Sequence, residues 1–94
     1  MLNPERIPKS LIPLIPLVEK WGIGDDFERE EAVSKASLSE LQELVHSIDK
    51  IKGVDLYGWL GTPLSPGSKP SQEYVAFTCF TMAFDSAKLK LKRM

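Results

Sequence analysis

Residues 37–52, SLSELQELVHSIDKIK, decide how this 94-residue chain folds. Ser37 and Glu40 stand three residues apart as a capping box, in which each side chain satisfies a free backbone N–H at the start of a helix. Apolar residues then recur at intervals of three and four until Gly53, namely Leu38, Leu41, Leu44, Val45, Ile48 and Ile51. This spacing places them on one face and predicts an amphipathic helix.

The N-terminal quarter is predicted to be an arm followed by a short helix. Isoleucine precedes proline three times within residues 7–16, and a residue before proline is pushed towards extended geometry. We therefore predict an extended N-terminal arm over residues 1–12 and a helix from about Pro13. Gly22 marks the end of that helix.

A second helix is predicted over residues 27–36. Asp25 or Asp26 can cap it, and the positive end of the helix dipole favours the carboxylates that follow. Its apolar face is thin and consists of Ile23, Phe27, Val33 and Ala36. This helix therefore offers the core little apolar surface.

The last predicted helix starts at Pro70, runs through Lys88 or beyond, and is apolar nearly all round. One apolar arc consists of Phe77, Phe80, Phe84, Ala87 and Leu91, and a second consists of Val75, Met82 and Leu89. Two arcs imply packing on two sides, which makes this helix central. Between the arcs lies a polar stripe made of Tyr74, Thr78, Thr81, Asp85 and Lys88.

Three other segments complete the predicted fold. Residues 61–71 carry three prolines and two glycines and are predicted to be an internal loop. Residues 54–60 are predicted to form either a short helical turn or an extended segment. Gly58 is unfavourable in both, so it does not decide between them. Residues 88–92, KLKLK, alternate with the two-residue period of a strand.

We predict one all-α domain over residues 1–94, a small bundle of four or five helices around the last one; the alternative is α+β with a short C-terminal strand.

Composition limits the classes of function. Lys and Arg number 12 and Asp and Glu 13, so the net charge of −1 gives no overall attraction to nucleic acid or to an anionic membrane surface. The longest apolar stretch, residues 11–18, is far shorter than the ~20 residues that span a bilayer. Cys79 is the one cysteine, which excludes an internal disulfide and favours a reducing compartment, so we expect a cytoplasmic protein.

Few residues suit catalysis or metal binding. His46, the one histidine, points roughly opposite the apolar face of its predicted helix, and Cys79 has no histidine nearby in sequence to activate it. Glu43 and His46 match half of a di-iron motif, but the second Glu-x-x-His is missing. We predict no catalytic residue, no metal and no cofactor, and favour a protein that is not an enzyme.

The leading functional hypothesis is a small non-enzymatic protein–protein interaction module, such as an adaptor, an inhibitor or an immunity-type protein. The predicted contact residues for its protein partner are Tyr57, Trp59, Leu60 and Leu64. An alternative is a small-ligand or enzymatic pocket lined by the polar stripe, with Asp85 as acid or base and Lys88 as its counter-charge. A third hypothesis is a homo-oligomer, in which some of the eight aromatic residues are buried against a copy of the chain.

Overall fold

A computed structural model describes residues 2–47, 56–61, 67 and 69–93. Over these ranges the chain forms five α-helices and no strand, which confirms the predicted all-α class. The helices are α1 (Ile15–Trp21), α2 (Asp26–Lys35), α3 (Leu38–His46), α4 (Leu56–Leu60) and α5 (Gln72–Arg93).

The long C-terminal helix α5 is the central element, as predicted, and each of the other four helices contacts it. Its first apolar arc forms the middle of the core, where Phe77, Phe80 and Ala87 have no exposed surface. The helix begins two residues after the predicted start, because Ser71 acts as its cap: the Ser71 hydroxyl accepts a hydrogen bond from the Tyr74 N–H at 3.1 Å.

The alternative with a C-terminal strand is wrong, because α5 continues as a helix to Arg93. Lysine and leucine alternate over residues 88–92, but the two leucines lie on different faces of the helix. Leu91 packs against the core, whereas Leu89 is 51% exposed. A strand would place both leucines on one face, whereas a helix places residues two apart on nearly opposite sides, as observed for Leu89 and Leu91.

The second apolar arc of α5 is not packed inside the chain. Val75, Met82 and Leu89 are 44%, 47% and 51% exposed. Two arcs predicted packing on two sides, and among the described residues of one chain only the first arc is buried. The four shorter helices suffice to cover the arc that contains Phe77 and Phe80, and they leave the opposite face of α5 half open to solvent.

The N-terminal arm is not extended. In place of the arm predicted for residues 1–12, two 3₁₀ helices form over Pro4–Arg6 and Lys9–Leu14. The φ angle that proline fixes suits a 3₁₀ turn as well as an extended chain. Burial then favours the folded form, since the segment contributes four core side chains: Leu2, Ile7, Leu11 and Leu14.

Both predicted helix caps are present. The Asp25 carboxylate accepts a hydrogen bond from the Glu28 N–H at 2.9 Å, and Ser37 and Glu40 form the capping box at the start of α3. Residues 48–55, which include the predicted continuation of that helix, lie outside the described residues, as does most of the predicted loop over residues 61–71.

The inward face of α2 differs from the prediction. Phe27 is 76% exposed, whereas Val33 and Arg29 are buried. Phe27 was expected in the core on its apolarity alone, but Arg29 and Val33 lie four residues apart and so share the face that α2 turns towards α5. The Lys90 ammonium also reaches α2 and donates hydrogen bonds to the carbonyl oxygens of Val33 and Ser34, at 3.1 and 2.5 Å.

Candidate functional site

Trp59, predicted to contact a partner, packs on α5. Its ring centroid lies 5.5 Å from that of Tyr74 and 5.3 Å from that of Phe77, with both pairs edge to face. Leu60 also packs against the core, and its carbonyl oxygen accepts a hydrogen bond from the Tyr74 hydroxyl. These two residues are therefore engaged within the chain. The other two predicted contact residues lie outside the described side chains: Tyr57 and Leu64.

The polar stripe of α5 divides into two parts. The Thr78 hydroxyl donates to the Tyr74 carbonyl at 2.9 Å and the Thr81 hydroxyl to the Thr78 carbonyl at 2.6 Å, so both are satisfied by their own helix. Asp85 and Lys88 are exposed. The stripe lines neither of the two cavities described below, and a pocket there stays a prediction.

An open groove of about 610 Å³ lies between the end of α1 and the first half of α5. Its surface is mostly apolar, and Glu19 and Gln72 supply polar groups. The apolar residues that line it include Leu2, Val18, Val75, Ala76 and Cys79. The groove is thus built from three parts of the chain that are distant in sequence.

Gly22 sets how closely α1 approaches α5 at this groove. A Cβ at this position would lie 2.6 Å from the Val18 carbonyl oxygen and 2.7 Å from the Ala76 carbonyl oxygen. Its φ of −79° is open to any residue, so the requirement for glycine is one of space. The sequence predicted Gly22 as a helix end, but not this contact across the fold.

Arg29 holds the segment between α1 and α2 beside the groove. Its guanidinium is buried and donates to the Ile23 carbonyl oxygen at 2.6 Å, to the Asp26 carboxylate, and to the Met82 sulfur at 3.2 Å. A buried guanidinium needs such partners because desolvation of an unpaired charge is costly. Sequence reasoning missed Arg29, although its spacing from Val33 indicated an inward position.

Glu73 anchors the N-terminal segment to α5. Its Oε1 accepts a hydrogen bond from the Asn3 N–H at 3.1 Å, and the residue is only 4% exposed. Within the described ranges, its Oε2 is buried and has no hydrogen-bond partner. Hydrogen bonds from the Glu73 and Asn3 backbone N–H groups lower the pKa of this carboxyl, Arg6 adds a smaller effect in the same direction, and burial opposes them.

Replacement of Glu73 by Gln should weaken the acid dependence of stability. Because folding lowers the Glu73 pKa from its ordinary 4.5, the carboxylate stabilises the fold above that value, and the contribution is lost as pH falls through the folded pKa. We expect Glu73→Gln to lower Tm at pH 7 and to lose less Tm between about pH 5 and 3 than the parent protein. Thermal unfolding followed by circular dichroism at each pH measures both.

Glu40 provides the background for that comparison. A hydrogen bond from Lys20, at 3.0 Å, and one from the Ser37 backbone lower its pKa as well, so some acid dependence should remain in both proteins. Tm curves that stay parallel down to pH 3 would contradict the assigned role of Glu73.

An apolar row borders the groove on the outer face of α5. Val75, Met82 and Leu89 recur every seven residues, which is close to two helical turns, and they therefore lie one above another along the helix. We call these three residues the α5 row. Val75 belongs to both the groove and the row, so the two features meet at this residue.

A smaller cavity of about 250 Å³ lies at the other end of the row, between α2 and α5. Leu89 contributes to its lining, together with charged residues that include Glu30 and Arg93. The surface thus changes from apolar at the α5 N-terminus to charged at its C-terminus.

Other chemistry is sparse in the described part of the chain. No three histidine, cysteine, aspartate or glutamate side chains of these residues group as metal ligands. Cys79 is a buried free thiol that lines the groove, and His46 is exposed on α3. None of the helices in these ranges is both long and apolar enough to cross a bilayer.

No protein-family model matches the chain, and no curated protein or solved structure matches it either. The case for a function therefore comes from the surface of the chain itself.

Proposed function

We propose that this chain is a non-enzymatic protein–protein interaction module that binds its partner through the α5 row and the adjoining groove. The observation that supports this proposal is the half exposure of Val75, Met82 and Leu89 in a single row. Single exposed apolar side chains are common on soluble proteins, whereas apolar side chains gathered on one face beside an apolar groove mark an interaction site.

The dimensions of this surface suit a protein segment. From Val75 to Leu89 the helix rises by about 21 Å at 1.5 Å per residue. An amphipathic helix places anchors every three to four residues, so a partner helix of about four turns could contact the whole row. The groove beside Val75 extends the contact area beyond one face of α5.

The alternative, a small-ligand or enzymatic pocket at the polar stripe, has weaker support. Asp85 and Lys88 are exposed, whereas ligand and catalytic sites are concave and exclude water from their polar groups. The interaction module is therefore the better proposal for this face of α5.

Site-specific photo-crosslinking tests the proposed function. A photoreactive phenylalanine analogue replaces Leu89 in the cells from which the sequence comes, and the same analogue replaces Leu38 as a control. Leu38 is 49% exposed, close to the 51% of Leu89, but it lies on α3 and lines neither cavity. We expect a discrete crosslinked protein from position 89 and none from position 38.

A second variant tests whether the crosslink depends on the α5 row. It carries the photoreactive residue at position 89 together with Val75→Glu, which places a charge at the far end of the row. This change should remove the crosslink at position 89. The proposal fails if positions 38 and 89 give the same products, or if position 89 gives no discrete product.

A further inference from the structure

We propose that the α5 row binds a second copy of this chain, packed antiparallel so that a two-fold axis passes beside Met82. This inference rests on the proposed function, because it names the partner of the same surface. It is argued from the symmetry of the row and from the distribution of charge along α2 and α5.

The row has the symmetry that a two-fold interface requires. In such an interface, whenever residue i of one copy contacts residue j of the other, j also contacts i. Val75 and Leu89 stand seven residues before and after Met82. When two α5 helices pack antiparallel about Met82, Val75 of each copy lies opposite Leu89 of the other, and Met82 lies opposite itself. All three apolar side chains of both copies are then covered.

The orientation of α2 extends this argument to charge. Arg29 contacts Met82 near the middle of α5, and the Lys90 ammonium contacts the Val33 carbonyl near the end of α2. The two helices therefore run in the same direction, and the start of α2 lies beside the first half of α5.

Each chain consequently has an acidic and a basic end along this face. The acidic end holds exposed carboxylates at the start of α2 and on α1, namely Glu19, Asp25, Asp26 and Glu28. Arg29 pairs with Asp26, Glu40 pairs with Lys20, and Lys69 offsets one further charge, so this end keeps a small negative excess. The basic end holds exposed cations at the end of α5, Lys92 and Arg93, which outnumber Glu30, the exposed carboxylate of α2 in the cavity there. Antiparallel packing brings the acidic end of each copy to the basic end of the other, which favours association.

Parallel packing would have the opposite effect. It would bring the acidic ends of the two copies together, and likewise the basic ends, which is unfavourable. The net charge of −1 per chain leaves little overall repulsion between copies. Charge therefore selects the same antiparallel arrangement that the spacing of the row allows.

Light scattering coupled to size exclusion tests the dimer. The parent protein should show twice the 10.5 kDa mass of one chain. Leu89→Glu should raise the dissociation constant of the dimer by more than about tenfold, because it places a charge in an apolar contact. Leu38→Glu makes the same change at a matched exposure outside the row and should leave the dimer intact. Circular dichroism confirms that each variant is folded.

Cysteine crosslinking tests the register in a Cys79→Ser background. A short bismaleimide should join Met82→Cys to itself, and should join Val75→Cys to Leu89→Cys when the two proteins are mixed. Neither Val75→Cys nor Leu89→Cys alone should give a crosslinked dimer. Efficient crosslinks of 75 to 75 and 89 to 89 would indicate a parallel pair and overturn the proposal.

Two further outcomes would overturn the dimer. One is a parent protein that is monomeric at its highest soluble concentration, and the other is a dimer that Leu89→Glu and Leu38→Glu weaken equally. The proposed function is judged separately by the mass of the photo-crosslinked product from position 89. A different protein in that product retains the interaction module without the dimer, and no product at all removes both.

Discussion

Phe77→Ala should lower the free energy of unfolding by about 3–5 kcal/mol, the range for removing a buried aromatic side chain and leaving a cavity. Phe77 has no exposed surface, and its ring meets Trp59 edge to face with centroids 5.3 Å apart. A domain of this size has a total stability of about 5–15 kcal/mol, so the variant should be close to unfolding. Urea denaturation followed by circular dichroism gives the difference directly.

The same substitution at Phe27 provides the matched control. Phe27 is 76% exposed on α2, and Phe27→Ala should change the free energy of unfolding by less than about 0.5 kcal/mol. Similar losses from the two variants would contradict the placement of Phe77 at the centre of the core.

Local sequence rules predicted the features that depend on neighbouring residues. The caps at Asp25 and Ser37 each involve a side chain and a backbone N–H three residues later, so the sequence alone contains both partners. The end of α1 at Gly22 is equally local. The apolar spacing of α5 predicted its central arc, because one helix face collects residues three and four apart.

Apolarity alone did not predict which surfaces are covered. Phe27 and the α5 row are as apolar as the core residues, yet the helices of the described residues do not enclose every apolar face. Arg29 is the opposite case. A charged side chain is expected at the surface, but the guanidinium of Arg29 is buried because a carbonyl oxygen, a carboxylate and a sulfur accept its hydrogen bonds. Burial of this kind depends on how α1, α2 and α5 pack together. The spacing of residues within one helix does not predict that packing.

The candidate site was harder to predict than the fold, because it joins distant segments. The groove combines Leu2, Val18 and Val75, and the hydrogen bond that holds its N-terminal side joins Asn3 to Glu73, 70 residues away. The sequence assigned Val75 to a packed arc and residues 1–12 to an extended arm, so neither was expected at one site. The 3₁₀ turns and the close approach at Gly22 bring them together.

Gly22→Ala should destabilise the fold by about 1–3 kcal/mol, the usual cost of forcing extra volume into a packed contact. Both atoms that the new methyl group would meet are backbone carbonyl oxygens, at 2.6 and 2.7 Å, so neither can move aside as a flexible side chain could. The end of α1 must shift away from α5, which alters the groove.

Gly24→Ala is the control, because no atom lies within 4 Å of the added Cβ, and this change should be neutral or stabilise by up to about 1 kcal/mol. Urea midpoints of the two variants measure the difference, and equal midpoints would show that α1 and Ala76 do not meet closely at Gly22.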